Sequence, residues 1–463
     1  MSRIEHDLIG DREVPSDVYW GVHTLRATEN FPISGRKIGD SADLVNALAA
    51  IKEAAAKANA KLGQIDVKRA DAIQQAAVEI RAGKFHDQFV VDMIQGGAGT
   101  STNMNANEVI ANRALEKLGK ARGDYAVLHP NEHVNLGQST NDVYPSALKI
   151  AMIFALKRLD GQIGELETAF IERAQAFAGI VKMGRTQLQD AVPMTLGQEF
   201  STFAGMLAAE RKGLHKAAED LYVLNIGGTA IGTGITAHPQ LGALTIQHLR
   251  GITGLPLTLA EDLILATQDT GAFVTVSGAL KRLAVKLSKI ANDLRLLSSG
   301  PRAGFGDITL PAVQAGSSIM PGKVNPVIPE VVNQVCFEVI GADLTVTLAA
   351  EGGQLQLNAF EPVIFESIDR SITHLGQAME TLARNCVRGI TADAAALRNR
   401  VEHSIGIVTA LTPYIGYVRA TEIAKLAHET GEGVAHLVLE RKLMEKDKLE
   451  AALTASAVFG HAA

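Results

Sequence analysis

Residues 316–326 combine side chains that could do acid–base chemistry with residues that prevent regular structure. The segment holds two adjacent hydroxyls, Ser317 and Ser318, followed by Lys323 and Asn325. Its glycines permit positive φ, and its prolines fix φ and remove backbone donors, so no helix or central strand runs through it. Taken alone, the segment is either a solvated connection or a hinged loop that carries a base, a cation and an amide. Loops on a rigid scaffold often bear catalytic groups.

Nucleotide and zinc chemistry are two alternatives that the glycines and histidines raise. A phosphate-binding loop needs four residues between its glycines and a Ser or Thr after the lysine. Here five residues separate Gly316 from Gly322, and Val324 follows the lysine. Residues 129–133 fit His-x-x-Glu-His, which requires both histidines on one helix face. Pro130 can lie only at a helix start, so the two histidines are not expected to share a helix face, and we predict no metal site. We also expect no cofactor.

Three further polar segments interrupt the apolar patterning, at residues 97–108, 133–142 and 184–190. Each contains three or more Ser, Thr, Asn or Gln side chains. Helix N-caps use the same residue types, but a cap needs only one such side chain. We therefore predict helix N-termini lined with neutral donors, which suit an anion such as a carboxylate.

Long helical periodicity indicates the elements that position these segments. Between residues 146 and 179, apolar residues recur at alternating steps of three and four, which is typical of one apolar helix face. Similar runs follow at about 194–224, 262–299, 328–350 and 361–388. Helices this long leave apolar faces that one chain does not bury alone, so we predict an oligomer with a shared helical core.

The same pattern predicts a mostly α fold in three domains. Residues 1–140 show shorter helices and more turns, residues 141–390 form a central bundle of five long helices, and residues 391–463 form a small helical domain. We find no internal repeat.

Composition excludes several classes of partner. The 463 residues carry a net charge of −6 with a pI near 6.1, which disfavours nucleic acid and anionic membranes as partners. Cys336 and Cys386 lie far apart and are expected to be reduced thiols. The N-terminal residues do not form a secretory signal, and no long uncharged apolar stretch occurs. We expect a cytoplasmic protein.

The loop at 316–326 and the three polar segments resemble those of the aspartase/fumarase superfamily of lyases. The resemblance extends over almost the whole chain, from about residue 21 to residue 409. The resemblance is greatest to the branch that removes ammonia from L-aspartate, and it is carried by residues 21–26, 29–31, 182–193 and 354–358.

Class II fumarases are the alternative within the superfamily. They are expected to have His at position 187, paired with a carboxylate that corresponds to Glu330. Here position 187 is Gln, which cannot titrate, although Glu330 is present. Some ammonia-lyases also carry His here, so Gln187 weighs against a fumarase without excluding it.

The resemblance implies reversible anti-elimination of ammonia through an aci-carboxylate intermediate, with Ser317 as the base. Its alkoxide would be stabilised by Lys323 and by loop N–H groups, including that of Ser318. The implied contacts are Thr100, Ser139, Thr140 and Ser318 for the β-carboxylate, Thr186, Lys323 and Asn325 for the α-carboxylate, and Asn141 and Gln187 for the amino group.

The resemblance also implies a homotetramer in which each site draws on three subunits. His129, Asn131 and Glu132 are similar to a second carboxylate site of fumarases, with Glu132 in place of Asp. A non-catalytic scaffold on the lyase fold is the alternative outside enzymology, because fold alone does not fix function.

Overall fold

The computed structural model of the chain describes residues 1–453 and is mostly helical, as predicted. The helices are α1 (Val22–Asn30), α2 (Ala42–Lys61), α3 (Val67–Arg81), α4 (Thr100–Lys117), α5 (Thr140–Ala176), α6 (Leu196–Ala217), α7 (Leu241–Thr253), α8 (Leu263–Gln268), α9 (Gly271–Leu297), α10 (Val327–Glu351), α11 (Glu361–Asn385), α12 (Ala394–Glu402), α13 (Val408–Ile415), α14 (Tyr417–Thr430), α15 (Val434–Glu440) and α16 (Lys446–Ala452). The strands are β1 (Ser2–Asp7), β2 (Gly10–Pro15), β3 (Val181–Thr186), β4 (Gln189–Thr195), β5 (Val223–Leu224) and β6 (Thr258–Leu259). β1–β2 and β3–β4 form antiparallel hairpins, and β5 pairs with β6 in parallel.

The five long helices predicted from the periodicity are present as α5, α6, α9, α10 and α11. The run expected over about 262–299 is divided into α8 and α9. Asp262 caps α8 by accepting the backbone N–H groups of Ile264 and Leu265. Asp269 then accepts the N–H of Gly271, a local turn that separates the two helices.

The chain divides into two compact units. Unit 1 comprises Met1–Asp160, Lys212–Arg282 and Phe337–His374, and unit 2 comprises Gly161–Arg211, Leu283–Cys336 and the chain from Leu375 onward. Every boundary between the units falls inside one of the five long helices. The division into three domains stays a prediction.

In unit 1, α2 packs against α3 and α7, and many of its buried side chains are alanines. Ala47, Ala50, Ala54 and Ala58 are all buried, and small residues let neighbouring helices approach closely. α4 is different, because its buried residues include Thr102, Asn103, Asn105, Asn107 and Asn112. Buried polar groups need hydrogen-bond partners, so α4 fixes the loops that supply them.

Apolar side chains cluster in two places among the described residues of unit 2. Phe170, Phe177, Phe200 and Phe203 form one, with ring centroids between 5.2 and 6.0 Å apart in tilted or edge-on arrangements. The other contains Leu411, Ile423 and Leu437 of the C-terminal helices together with Met183 of β3, so β3 is anchored to this part of the chain.

One helix, α10, exposes an apolar face. Phe337, Leu344 and Leu348 recur at helical spacing and are 61, 62 and 62% exposed. By length and composition α10 alone among the described helices could cross a membrane, a test that the core helix of a soluble protein also passes.

Candidate active site

The loop that carries Ser317 is closed at its neck. The side-chain amide of Asn325 donates a hydrogen bond of 2.8 Å to the carbonyl of Gly316. A Cβ at position 316 would overlap the carbonyl oxygen of Lys323, so only glycine permits this approach. Lys323 donates its backbone N–H to the carbonyl of Met320 at 3.2 Å. These contacts at Gly316, Lys323 and Asn325, the neck of the loop, hold its two ends together and leave its tip open.

Within the tip, Ser317 Oγ accepts two backbone hydrogen bonds. The donors are the N–H groups of Ile319 at 3.2 Å and Met320 at 3.0 Å. Donors aimed at an oxygen stabilise negative charge on it, as they do in an oxyanion hole. Ser317 is half-buried, whereas Ser318 and Lys323 are exposed.

A cavity of about 550 Å³ lies beside the loop neck. Its lining includes Lys323 and Asn325, and Arg295 from the end of α9. The rest of the lining includes residues 298–301, Gly306 and residues 308–311. Lys323 and Asn325, two of the predicted substrate-binding residues, thus face a cavity whose lining also includes a second cation, Arg295.

Thr186 and Gln187 lie at the tip of the β3–β4 hairpin, both exposed. The expectation that residues 184–190 form a helix N-terminus is therefore wrong. Thr186 pairs with Gln189, and the two residues between them, Gln187 and Leu188, have φ of 53 and 64°. Positive φ at both central positions is the conformation of a type I′ hairpin turn, which usually uses Asn and Gly.

Thr100 is the first residue of α4, as predicted for a polar helix N-terminus. Gly97, Ala98 and Gly99 before it have φ of 90, 55 and 86°. A Cβ on Gly99 would overlap the ring of Tyr144, so glycine is required there. Thr100 Oγ1 donates to the carbonyl of Gly97 at 2.8 Å.

Ser139, Thr140 and Asn141 lie where α5 begins. Ser139 Oγ accepts the backbone N–H of Asn141 at 3.2 Å. Thr140 Oγ1 accepts from Asn103 Nδ2 of α4 at 3.2 Å, so the N-terminal turns of α4 and α5 are joined. Asn141 Nδ2 donates to the carbonyl of Ala230 at 2.7 Å.

Pro145 sits inside α5 and affects the position of Asn141. Proline has no N–H, so the carbonyl of Asn141 lacks its usual helical donor. Asn225 Nδ2 donates to that carbonyl at 2.9 Å instead. The fold therefore fixes both the backbone and the side chain of Asn141.

Beneath these turns lie two buried charges that the sequence reasoning missed as functional residues. Asp142 accepts the backbone N–H groups of Ser139, Gly227 and Thr229 at 3.0, 3.1 and 3.0 Å. Burial raises the pKa of Asp142 to about 6, against the lowering effect of those donors. Asp142 thus ties the turn that holds Ser139 to the loop at 227–229.

Lys52 of α2 is the second buried charge. Its Nζ donates to Asn135 Oδ1 at 2.8 Å and to Gln138 Oε1 at 2.9 Å. Burial lowers the pKa of Lys52 to about 7, and the charge of Asp142 opposes that shift. Asn135 Oδ1 also accepts from Asn103 and from Asn107, so one amide oxygen joins α2, α4 and the segment before α5.

The predicted residues thus fall into two groups, each described within its own unit. Unit 1 contains Thr100, Ser139, Thr140 and Asn141, and unit 2 contains Thr186, Gln187, Ser317, Ser318, Lys323 and Asn325. Their roles toward a substrate stay predictions.

The histidines at 129 and 133 are engaged by the backbone. His129 Nδ1 accepts the N–H of Asn131 at 3.0 Å, and His133 Nδ1 accepts the N–H of His129 at 2.8 Å. Among the described residues, one exposed group, Glu432, His436 and Glu440, has ligand atoms close enough together for a metal ion. Exposed acidic groups of this kind are common without a metal, and the absence of a metal site stays a prediction.

Comparisons with known proteins identify the family of the chain. A family model described as lyase matches residues 10–341, and one described as fumarase C C-terminus matches residues 407–459. The chain therefore belongs to the aspartase/fumarase superfamily of lyases. It is 56% identical over 448 residues to an aspartate ammonia-lyase from Helicobacter pylori, covering 97% of this chain and 96% of the relative. Within the superfamily it belongs with the aspartate ammonia-lyases.

Solved structures share the whole fold. A fumarate lyase:delta crystallin from Brucella melitensis, bound to cobalt, has a TM-score of 0.95 and 53% identity, with 98% of each chain covered. A class II fumarase from Schistosoma mansoni has a TM-score of 0.92 and 32% identity, covering 99% of this chain and 98% of that one. The backbone fold alone therefore does not separate ammonia-lyases from fumarases.

Proposed function

We propose that the chain catalyses the reversible deamination of L-aspartate to fumarate and ammonia. The observation that carries this proposal is the 56% identity to an aspartate ammonia-lyase over 97% of the chain. Gln187 at the hairpin tip supports it, because an amide cannot provide the titrating group expected of a fumarase at this position.

Ser317 is the proposed base that removes a proton from C3 of the substrate. A serine hydroxyl becomes a base only where its alkoxide is stabilised. The N–H groups of Ile319 and Met320 already point at Ser317 Oγ, at 3.2 and 3.0 Å. Together with the charge of Lys323 on the same loop, they would favour the alkoxide in a closed, dry site. The open tip above a fixed neck suits a loop that closes over substrate.

Loss of that proton places a second negative charge on the β-carboxylate, which becomes an aci-carboxylate. Thr100, Ser139, Thr140 and Ser318 are the proposed donors to this group. Hydroxyl donors stabilise a dianion without losing their own protons. In unit 1 these groups begin α4 and α5, so the partial positive charge of two helix N-termini would add to the effect.

The α-carboxylate and the amino group complete the proposed contacts. Thr186, Lys323 and Asn325 bind the carboxylate, and Lys323 is the group among them that carries a full charge. Asn141 and Gln187 face the amino group. The amino group is bound as the ammonium ion, so the electrons of the C–N bond leave with neutral ammonia and the step needs no dedicated general acid.

We further propose that the enzyme is a homotetramer with each site shared among three subunits, in the cytoplasm. Two observations support self-association. Thr186, Gln187, Ser318 and Lys323 are exposed in the single chain, whereas this chemistry needs a site that excludes water. The apolar face of α10 at Phe337, Leu344 and Leu348 is also exposed, as expected of a helix that packs against other subunits.

The reverse reaction tests the proposed chemistry. Fumarate and ammonium chloride in D2O are expected to give L-aspartate that carries one deuteron at a single C3 position, measured by NMR. A sample without ammonium is the control. Formation of malate in that control at a comparable rate would favour the class II fumarase, and absence of both products would favour a scaffold.

A further inference from the structure

Asp307 in unit 2 is a buried carboxylate with three basic partners. Its side chain is 0% exposed. Arg185 Nη1 lies 2.6 Å and Lys182 Nζ 3.1 Å from its Oδ2, and Arg400 Nη1 lies 2.9 Å from its Oδ1. Burial raises the pKa of Asp307, but the bonds to Arg185 and Lys182 outweigh it and hold that pKa below its usual value. The carboxylate is therefore charged at neutral pH.

The three partners come from two elements that Asp307 joins. Lys182 and Arg185 belong to β3, and Arg185 directly precedes Thr186 at the hairpin tip. Arg400 belongs to α12, which packs against β3. Arg185 also lies over the ring of Phe305, with Cζ 4.3 Å from the ring centroid, and Arg400 donates to the carbonyl of Phe305.

The backbone around Asp307 is fixed as well. Its N–H donates to the carbonyl of Leu297, at the end of α9, at 2.8 Å. Thr309 and Thr391 exchange two backbone hydrogen bonds, of 2.8 and 3.0 Å. Asp307 is therefore fixed through both its backbone and its side chain, which makes it a rigid point of attachment.

The segment that carries Asp307 also borders the catalytic loop. Gly306 and residues 308–311, the neighbours of Asp307, line the cavity that Lys323 and Asn325 face. Asp307 therefore connects two parts of the structure. Its carboxylate holds β3 at the residue before Thr186, and its backbone segment forms part of the wall of the cavity beside the loop. Thr186, Lys323 and Asn325 are the three groups that the proposed function assigns to the α-carboxylate.

We propose that Asp307 is a positioning residue. In each subunit it holds the hairpin tip and the loop-side wall in the geometry with which each contributes to binding a substrate α-carboxylate. The inference rests on the proposed function. It extends that function by giving the C-terminal helix α12 a part in substrate affinity, through Arg400.

Arg400→Gln is the decisive variant. Asp307→Asn would remove the close carboxylate partner of Arg185 and leave Lys182 with Glu199 alone, and such changes at a buried ion pair can prevent folding. Arg400 is 40% exposed, so its replacement is tolerated more easily. Lys286→Gln is the matched control, because Lys286 is 36% exposed and pairs at 2.5 Å with Glu210, whose side chain is 2% exposed, in the same unit.

Steady-state kinetics with L-aspartate give the readout. Arg400→Gln is expected to raise KM by roughly threefold to tenfold, the size of effect expected of a residue that acts on a binding site through other residues, while kcat changes less. Arg400→Lys, which keeps the cation, should restore part of the affinity. Combined with Thr186→Ala, Arg400→Gln should raise KM by less than the product of the two single effects, because both act on one contact.

The outcomes separate the two claims. If wild-type enzyme is active and Arg400→Gln has the same KM as Lys286→Gln, the inference is overturned and the proposed function stands. A double variant whose increase in KM equals the product of the Arg400→Gln and Thr186→Ala increases would also overturn the inference. A wild-type protein that forms no fumarate from L-aspartate would overturn both.

Discussion

Ser317 Oγ accepts the backbone N–H of Met320 at 3.0 Å, so the proposed base is already held by its own loop. Ser317→Ala removes the base and leaves the loop neck at Asn325 and Gly316 intact. A positioned base contributes about 10²–10⁴-fold, and turnover of L-aspartate should fall by that factor. Sedimentation should show unchanged assembly. If the variant keeps more than about a tenth of the rate, Ser317 is not the base.

Asp142→Asn tests the support of the α5 N-terminus. Asn has one acceptor oxygen where Asp142 uses two, so the N–H of Ser139 or those of Gly227 and Thr229 lose their partner. An unsatisfied buried donor costs about 1–3 kcal/mol. We expect a matching loss of unfolding free energy in urea and a raised KM.

Asp66→Asn is the control for that variant, because Asp66 is a more exposed carboxylate that caps α3 in the same unit. Asn is an equally good cap, so KM should not change. An Asp142→Asn enzyme with wild-type KM and stability would show that the hydrogen bonds of Asp142 to the three backbone N–H groups are not needed for either property.

Glu79→Gln tests a pH dependence of stability. Arg113 binds Glu79 through two hydrogen bonds, of 2.6 and 3.0 Å, and Lys117 adds a third contact of 3.1 Å. Hydrogen bonds from Arg113 and Lys117 lower the pKa of Glu79 to about 2 from its usual 4.5. A lowered carboxyl pKa stabilises the fold above pH 4.5, and this contribution is lost as pH falls toward 2.

Thermal unfolding between pH 2 and 7 measures this effect. Glu79→Gln should lower the midpoint most at neutral pH, and the difference from wild type should shrink as pH falls below about 4.5. A difference that stays constant over this range would contradict the ionic origin of the stabilisation.

Leu344→Lys tests the proposed role of the apolar face of α10. Leu344 is 62% exposed in the single chain, so a lysine there costs little in an isolated subunit. In a subunit interface it would place an unpaired charge among apolar residues. We expect smaller species in analytical ultracentrifugation and loss of activity. Val78→Lys, at an exposed position of α3, is the control. An intact oligomer for Leu344→Lys would exclude this face as a core interface.

The sequence predicted the long helices because their apolar periodicity is a local signal. It did not predict the β3–β4 hairpin, whose Thr and Gln residues were interpreted as helix caps. A type I′ turn is normally indicated by Asn-Gly, whereas here Gln187 and Leu188 adopt positive φ without such a signal. Tertiary packing, including that of Met183, decides the local structure there.

The supporting charges could not be predicted for a related reason. Lys52 lies in an alanine-rich helix, and its partners Asn135 and Gln138 are 83 and 86 residues away. Asp307 similarly meets Arg185 across 122 residues. Such pairs leave no pattern in a single sequence, whereas the loop at 316–326 carries its chemistry within eleven consecutive residues.

Substrate choice is the most direct test of the account. The purified enzyme is incubated separately with L-aspartate and L-malate, and fumarate is followed by its ultraviolet absorbance. We predict fumarate from L-aspartate, with ammonia in equal amount, and little or none from L-malate. Fumarate from L-malate but not from L-aspartate would contradict the central claim.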